Sequence, residues 1–264
     1  MEFALSIEEM AFALGHAGGA ETAAGYLTAI TGQLTEDNMA GRMTAASHSL
    51  LSRGYLTWDG GAARATMNAD LQQVVNAFLT TRISLRTSSS RSAEEDVVTF
   101  FLDGPNPVKH QFVQSVTARL TVMPDSAAVA REVATLMYEP VVAPSLGDGK
   151  LGAMAADTLR ALRGHADAST AQRAAMLRET LPEQVAAGIA ADMEDDAAVW
   201  STILRITTSV EGAAEANQGL FGVQTSKRGW LFAVLDDPIT VDVFALSTQQ
   251  AYNLILRLCT WQEQ

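Results

Sequence analysis

The sequence predicts an α+β protein of two similar halves, packed into one unit around an antiparallel sheet. Two observations carry this expectation. The chain faintly repeats itself at an offset of about 122 residues. Arg82-Ile83 opens a strand-like run after an apolar helical stretch, and Arg205-Ile206 does so 123 residues later. Asp125-Ser126 opens a short amphipathic helix after a strand-like run, and Ser247-Thr248 does so 122 residues later. Between these landmarks each copy holds four strand-like runs in the same order, and short connections make neighbouring runs antiparallel. The expected division is 1–138, a helical part plus four strands, and 139–264, the same again.

Residues 1–67 read as helices. Ser6-Ile7-Glu8-Glu9 is a capping box, with Leu5 and Met10 at the staple positions. A second helix covers about 20–32. A third runs from Thr35 to Arg53, with Met39, Met43, Ala46 and Leu50 on one face and Gly54 as its stop. Residues 68–138 open with a helical face of Leu71, Val74, Val75 and Phe78. The runs 82–87, 96–103, 109–114 and 116–123 are rich in Val, Ile, Phe and Thr and read as strands. Asp103-Gly104-Pro105-Asn106-Pro107 turns the chain between the second and third. Asp125 caps a helix carrying Val129, Val133, Leu136 and Met137.

Pro140, Pro144, Gly147 and Gly149 mark a boundary at 139–150. Helices are expected at 151–163, about 169–179 and 182–194, with Pro182 at a first helical position. In the second copy Val199, Trp200 and Ile203 form the leading helical face. Strands follow at about 204–210, 219–225, 229–235 and 240–246, and Thr248 to Leu258 is the closing helix.

Composition excludes several classes. Hydrophobic residues make up 48% of the 264, enough for a sizeable core. The net charge of −12 repels phosphate backbones, which disfavours generic nucleic-acid or anionic-membrane binding. The single cysteine, Cys259, cannot form an internal disulfide and reads as a buried, inert thiol. No basic n-region opens the chain and no apolar run reaches the ~18 residues of a membrane span. The expected location is cytoplasmic.

Catalytic motifs are not found. His16, His48, His110 and His165 show no metal-ligand spacing. Ser47 and His48 are helix neighbours and point apart, so they cannot act as nucleophile and base. Gly147-Asp148-Gly149-Lys150 lacks the earlier glycine and the following Ser or Thr of a phosphate loop. His16-Ala17-Gly18-Gly19 reads as a helix end. Asp192, Glu194, Asp195 and Asp196 read as capping residues on a solvated face, and Asp236-Asp237 as a turn. The expectation is no enzyme, no metal and no cofactor.

Three stretches carry a family resemblance. They are the helix ending in Arg53-Gly54-Tyr55-Leu56; the strand–turn–strand run 96–123 leading into the helix at 126; and Gly219-Leu220-Phe221-Gly222-Val223 through Gly229-Trp230-Leu231-Phe232-Ala233-Val234 to the final helix. Their order resembles the EspG family, cytosolic chaperones of type VII (ESX) secretion that bind the tip of a helical PE–PPE substrate. The resemblance implies an internally duplicated, quasi-two-fold antiparallel sheet flanked by helical bundles. It also implies substrate contact through the sheet, the loop between its second and third strands (here Asp103 to Pro107) and the C-terminal helical part. The candidate partner-binding residues are Asp103, Asn106, Pro107, Phe112, Trp230 and Trp261. Sheet-to-helix packing is the competing role for Phe112 and Trp230.

The alternative is a winged-helix-like transcriptional regulator with a ligand- or dimer-forming α+β domain. The helix 35–53 followed by Arg53 to Gly60 imitates a recognition helix and wing. Against it, residues 1–67 set Arg42, Arg53 and Arg64 against Glu2, Glu8, Glu9, Glu21, Glu36, Asp37 and Asp59, the wrong sign for a groove reader.

Overall fold

Strand β1 (Glu2–Ser6) precedes the first helix in the computed structural model, which describes residues 1–60, 64–90, 97–114, 116–139, 149–164, 168–209 and 211–260. Phe3 and Leu5 point inward at period two, and Ser6 leaves the strand as the N-cap of α1 (Ile7–Gly18). The capping box forms as the sequence requires: Ser6 Oγ accepts from Glu9 N at 3.1 Å, and Glu9 Oε2 accepts from Ser6 N at 2.8 Å. Helices α2 (Ala20–Thr31) and α3 (Glu36–Ser52) follow. Gly54, at φ 73°, ends α3 with bonds from Gly54 N to Leu51 O and from Tyr55 N to Leu50 O, the paired pattern of a Schellman cap. The next segment is not helical. It is a hairpin of β2 (Leu56–Asp59) and β3 (Arg64–Met67), and α4 (Ala69–Thr80) comes after it.

The first set of four strands is β4 (Ile83–Ser89), β5 (Val98–Phe101), β6 (Val108–Val113) and β7 (Thr117–Val122), closed by α5 (Ser126–Met137). Leu136 is 36% exposed, outside the buried face of Val129, Val133 and Met137. The proline- and glycine-bearing boundary at 140–148 lies outside the described residues.

Strands take the first part of the helix expected at 151–163 and the helical face expected at 199–203, while the helix at 156–164 and the strand from 204 stand as expected. Lys150–Ala155 is β8, ahead of α6 (Ala156–Gly164); its Leu, Ala and Met favour helix locally, but pairing with another strand overrides that. Val199–Thr208 is β9, whose buried residues Ser201, Ile203 and Arg205 alternate at period two. Helices α7 (Thr170–Arg178) and α8 (Glu183–Asp192) lie between them, with Pro182 at the N-cap one residue before the helix. Strands β10 (Ala214–Gln224), β11 (Gly229–Val234) and β12 (Thr240–Ala245) then lead to α9 (Thr248–Thr260).

The sheet order is β1-β7-β6-β5-β4-β9-β10-β11-β12-β8, and every pairing with a described register is antiparallel. Contacts divide the chain into two units, Met1–Arg82 with Phe100–Pro124, and Ile83–Thr99 with Asp125–Gln264.

In the first unit one sheet face carries Phe3, Leu120 and His110 in one row and Leu5, Ala118 and Phe112 in the next. Leu14, Leu50, Leu71 and Val74 of the helices pack into the same core. The opposite face carries Glu2, Ala4, Arg119, Lys109 and Gln111. Buried Glu9 ties three elements together: it accepts from Ser49 Oγ at 2.7 Å and from Arg53 Nη1 at 2.7 and 2.9 Å, while Arg53 Nη2 donates to Ala4 O at 2.7 Å.

In the second unit Trp230, Phe232, Val223, Val241 and Val243 form a core with α6, α7 and α8. The other face meets α9, which packs on β10 and on α5. Cys259 is buried there, and burial pushes its thiol up to about 12, an unreactive group.

Candidate partner-binding surface

The turn between β5 and β6 is held at both ends. Asp103 Oδ2 accepts from Arg82 N at 2.7 Å. Pro107 is buried, and its carbonyl accepts from Met123 N at 2.8 Å. Between these anchors Pro105 is exposed and Asn106 half-buried. Two prolines limit the backbone, so the tip is presented in a fixed shape, which lowers the entropy lost on binding.

Phe112 is half-buried and lies in a cluster of rings. His110 meets Phe112 edge-on at 4.8 Å and Phe78 at 5.6 Å, and Phe78 meets Phe101 at 4.9 Å and Tyr26 at 6.0 Å. His110 is 8% exposed, and among the described residues its Nε2 has no hydrogen-bond partner. Burial in this apolar setting lowers its pKa to about 4, so it is neutral at pH 7. Burial likewise raises the Tyr26 phenol above its ordinary value. Phe112 is packed into this cluster on one side and keeps part of its surface exposed.

Trp230 is 1% exposed. Its Nε1–H donates to Asp192 Oδ2 at 2.7 Å, and Arg228 also binds that carboxylate and stands 5.7 Å above the indole ring. Arg228 Nη2 donates to Gly188 O at 3.2 Å. Asp192 is thus a buried carboxylate fastening the end of α8 to the sheet, and not a solvated cap. β9, not a helix, follows the acidic cluster, so Asp195 and Asp196 cap no helix there; Glu194 pairs with Arg173 at 3.5 Å. Trp261 lies outside the described residues.

A cleft that the sequence reading did not find lies on the second unit. Its volume is about 300 Å³. Leu204, Phe221, Val234 and Val241 come from four adjacent strands, and Leu159 and Arg160 from α6. A β-bulge between Glu215 and Gln218 shifts the register against β9 at its edge. Gln218 Nε2 donates to Leu235 O at 2.7 Å, and among the described residues its Oε1 has no partner. Ile239, in the turn beside the lining residue Pro238, is 71% exposed. An apolar floor with a fixed amide at its rim suits an apolar side chain carried by a polar backbone. No local pattern marks this cleft, because only the strand register brings its side chains together.

Other candidate chemistry is not assembled. Among the described residues no group of three or more His, Cys, Asp or Glu is placed to hold a metal. His16 and His48 are exposed, and His165 lies outside the described residues. The hairpin β2–β3 does follow α3, and its Trp58 is 60% exposed. Arg42 and Arg53 are engaged by Glu8 at 2.8 Å and Glu9 at 2.7 Å, which withdraws them from a phosphate-binding role. No helix among the described residues is long and apolar enough to cross a membrane.

No protein-family model matches this chain, and no curated protein sequence matches it. Its fold is shared with a solved structure, the Mycobacterium tuberculosis type VII secretion system chaperone EspG5 in complex with a PE25–PPE41 dimer. The TM-score is 0.69, covering 100% of this chain and 99% of that one at 10% sequence identity. The expected α+β architecture with a large antiparallel sheet is therefore the fold of an EspG-type chaperone.

Proposed function

We propose that this protein is a non-catalytic, cytoplasmic protein-binding chaperone or adaptor that holds a helical secretion substrate. The observation that carries the reading is the end-to-end fold match to a chaperone solved with its PE–PPE partner. The contact residues we assign are Asp103 and Asn106 of the fixed turn, with the buried Pro107 anchoring it, and Leu204, Phe221 and Val234 of the cleft. Trp230 is buried further along the same sheet face as Val234, in the core that α8 covers, and Phe112 belongs to β6, the strand the turn leads into. The two four-strand sets, each ending in a helix, are read as internal duplication, with halves 1–138 and 139–264.

The test is co-expression with helical PE–PPE-type proteins of the source cell, followed by size-exclusion chromatography of the complex. A stoichiometric complex that Phe221→Asp abolishes, with the melting curve of the free protein kept, supports the proposal. Failure of every such protein to bind sinks it. Tight, salt-sensitive retention of duplex DNA, arising from α3 and the β2–β3 hairpin, would replace it with the winged-helix reading.

A further inference from the structure

Helices α1, α2 and α3 enclose an apolar groove of about 350 Å³. Ala20, Ala23 and Ala24 of α2 line it together with Met39 and Met43 of α3 and with Phe12 of α1, on which the exposed His16 ring stacks at 6.3 Å. Gly15 allows the close approach of α2, since a Cβ there would stand 2.8 Å from the Cβ of Ala23. Ala20 is exposed, and Phe12, Met39 and Met43 are half-buried, so the groove opens to solvent. Small residues beside an aromatic ring and two flexible thioethers make a socket that adapts to large apolar side chains.

Charge at the rim selects the occupant. Helical spacing sets Glu8 one turn before Phe12, Glu21 one turn before Ala24 and Glu36 one turn before Met39. Arg42 is held by Glu8 at 2.8 Å. Glu21, Glu36 and Asp37 are exposed. A second copy of this chain would bring the same carboxylates against them, on a molecule of net charge −12. We infer that the groove docks an amphipathic helix of another protein. Its large apolar side chains, spaced i and i+3 or i+4, enter between Phe12 and the two methionines. Its flanking Lys or Arg residues face Glu21 and Glu36.

The test uses the full chain with ¹³C-methyl methionine and two synthetic helical peptides. Both carry a Leu/Phe stripe, flanked by Lys in one and by Glu in the other. The Lys peptide is expected to shift the Met39 and Met43 methyl signals and to bind about tenfold or more tighter than its twin, with the gap closing at high salt. Ala24→Leu fills the socket and weakens binding by about tenfold. Ala20→Leu, at an exposed site, does the same where Ala24→Leu perturbs the fold. Glu21→Lys with Glu36→Lys weakens it by about three- to fivefold. Equal affinity for both peptides overturns the proposal. So do shifts confined to other methionines, or a dimer by sedimentation that Ala24→Leu dissociates.

Discussion

Replacing His110 with Phe isolates one contribution to the pH dependence of stability. His110 is buried, and among the described residues its Nε2 has no partner. Burial lowers its pKa from 6.5 to about 4. The folded form therefore resists protonation while the unfolded chain accepts it. Stability is unaffected above pH 6.5, falls as pH drops below that value, and levels off below about 4. At pH 4 protonation favours the unfolded state far more than the folded one, a loss on the order of 3 kcal/mol relative to pH 7. Phe cannot titrate and fits among Phe78, Phe101 and Phe112. At pH 7 it also removes the unsatisfied nitrogen, so His110→Phe is expected to be neutral or about 1 kcal/mol more stable there. The assay is urea unfolding at pH 7, 6, 5 and 4 for both proteins. The variant's advantage should widen by about 3 kcal/mol across that range. An advantage that stays constant with pH would mean instead that His110 reaches solvent or a partner in the folded state.

Asp192→Ala should cost about 3 kcal/mol, from the stranded Trp230 N–H plus a smaller share for Arg228, whose side chain is 38% exposed. Asp192→Asn should cost only about 1 kcal/mol because an amide oxygen still accepts, and thermal melts that show equal losses would contradict this. Gly188→Ala brings a Cβ within 2.8 Å of the Trp230 ring and should destabilise by about 1 kcal/mol net. Gly41→Ala, with nothing within 4 Å, should instead stabilise α3 by up to about 1 kcal/mol, and melting temperatures moving in the same direction would sink the pair. For Glu9, desolvation raises the pKa, but bonds from Ser49, Ser6 and Arg53 outweigh it and leave it below 4.5. Its stabilisation is present above pH 4.5 and is lost as pH falls through the lower folded value. Glu9→Gln should remove that part of the acid limb, so that stability falls less steeply between pH 5 and 2 in the variant than in the parent; equal slopes in urea unfolding would contradict this.

Much of the site's framework was legible because its signals are local. The β5–β6 turn is written in five consecutive residues, Asp103 to Pro107, whose backbone preferences need no distant partner. The cleft was not legible. Leu204, Phe221, Val234 and Val241 sit on four strands, and only the register of those strands puts them side by side. Asp192 misled for the same reason: beside Glu194, Asp195 and Asp196 it looks solvated, while its partners Arg228 and Trp230 stand 36 and 38 residues away.

The capping box at Ser6, the glycine stop at Gly54, most helix faces and the two four-strand runs are written in local patterns of a few consecutive residues. Glu2–Ser6, Lys150–Ala155 and Val199–Ile203 become strands through partners distant in the chain. Those short segments have compatible local preferences for helix or strand. The backbone hydrogen bonds offered by β7, β12, β4 and β10 make the choice.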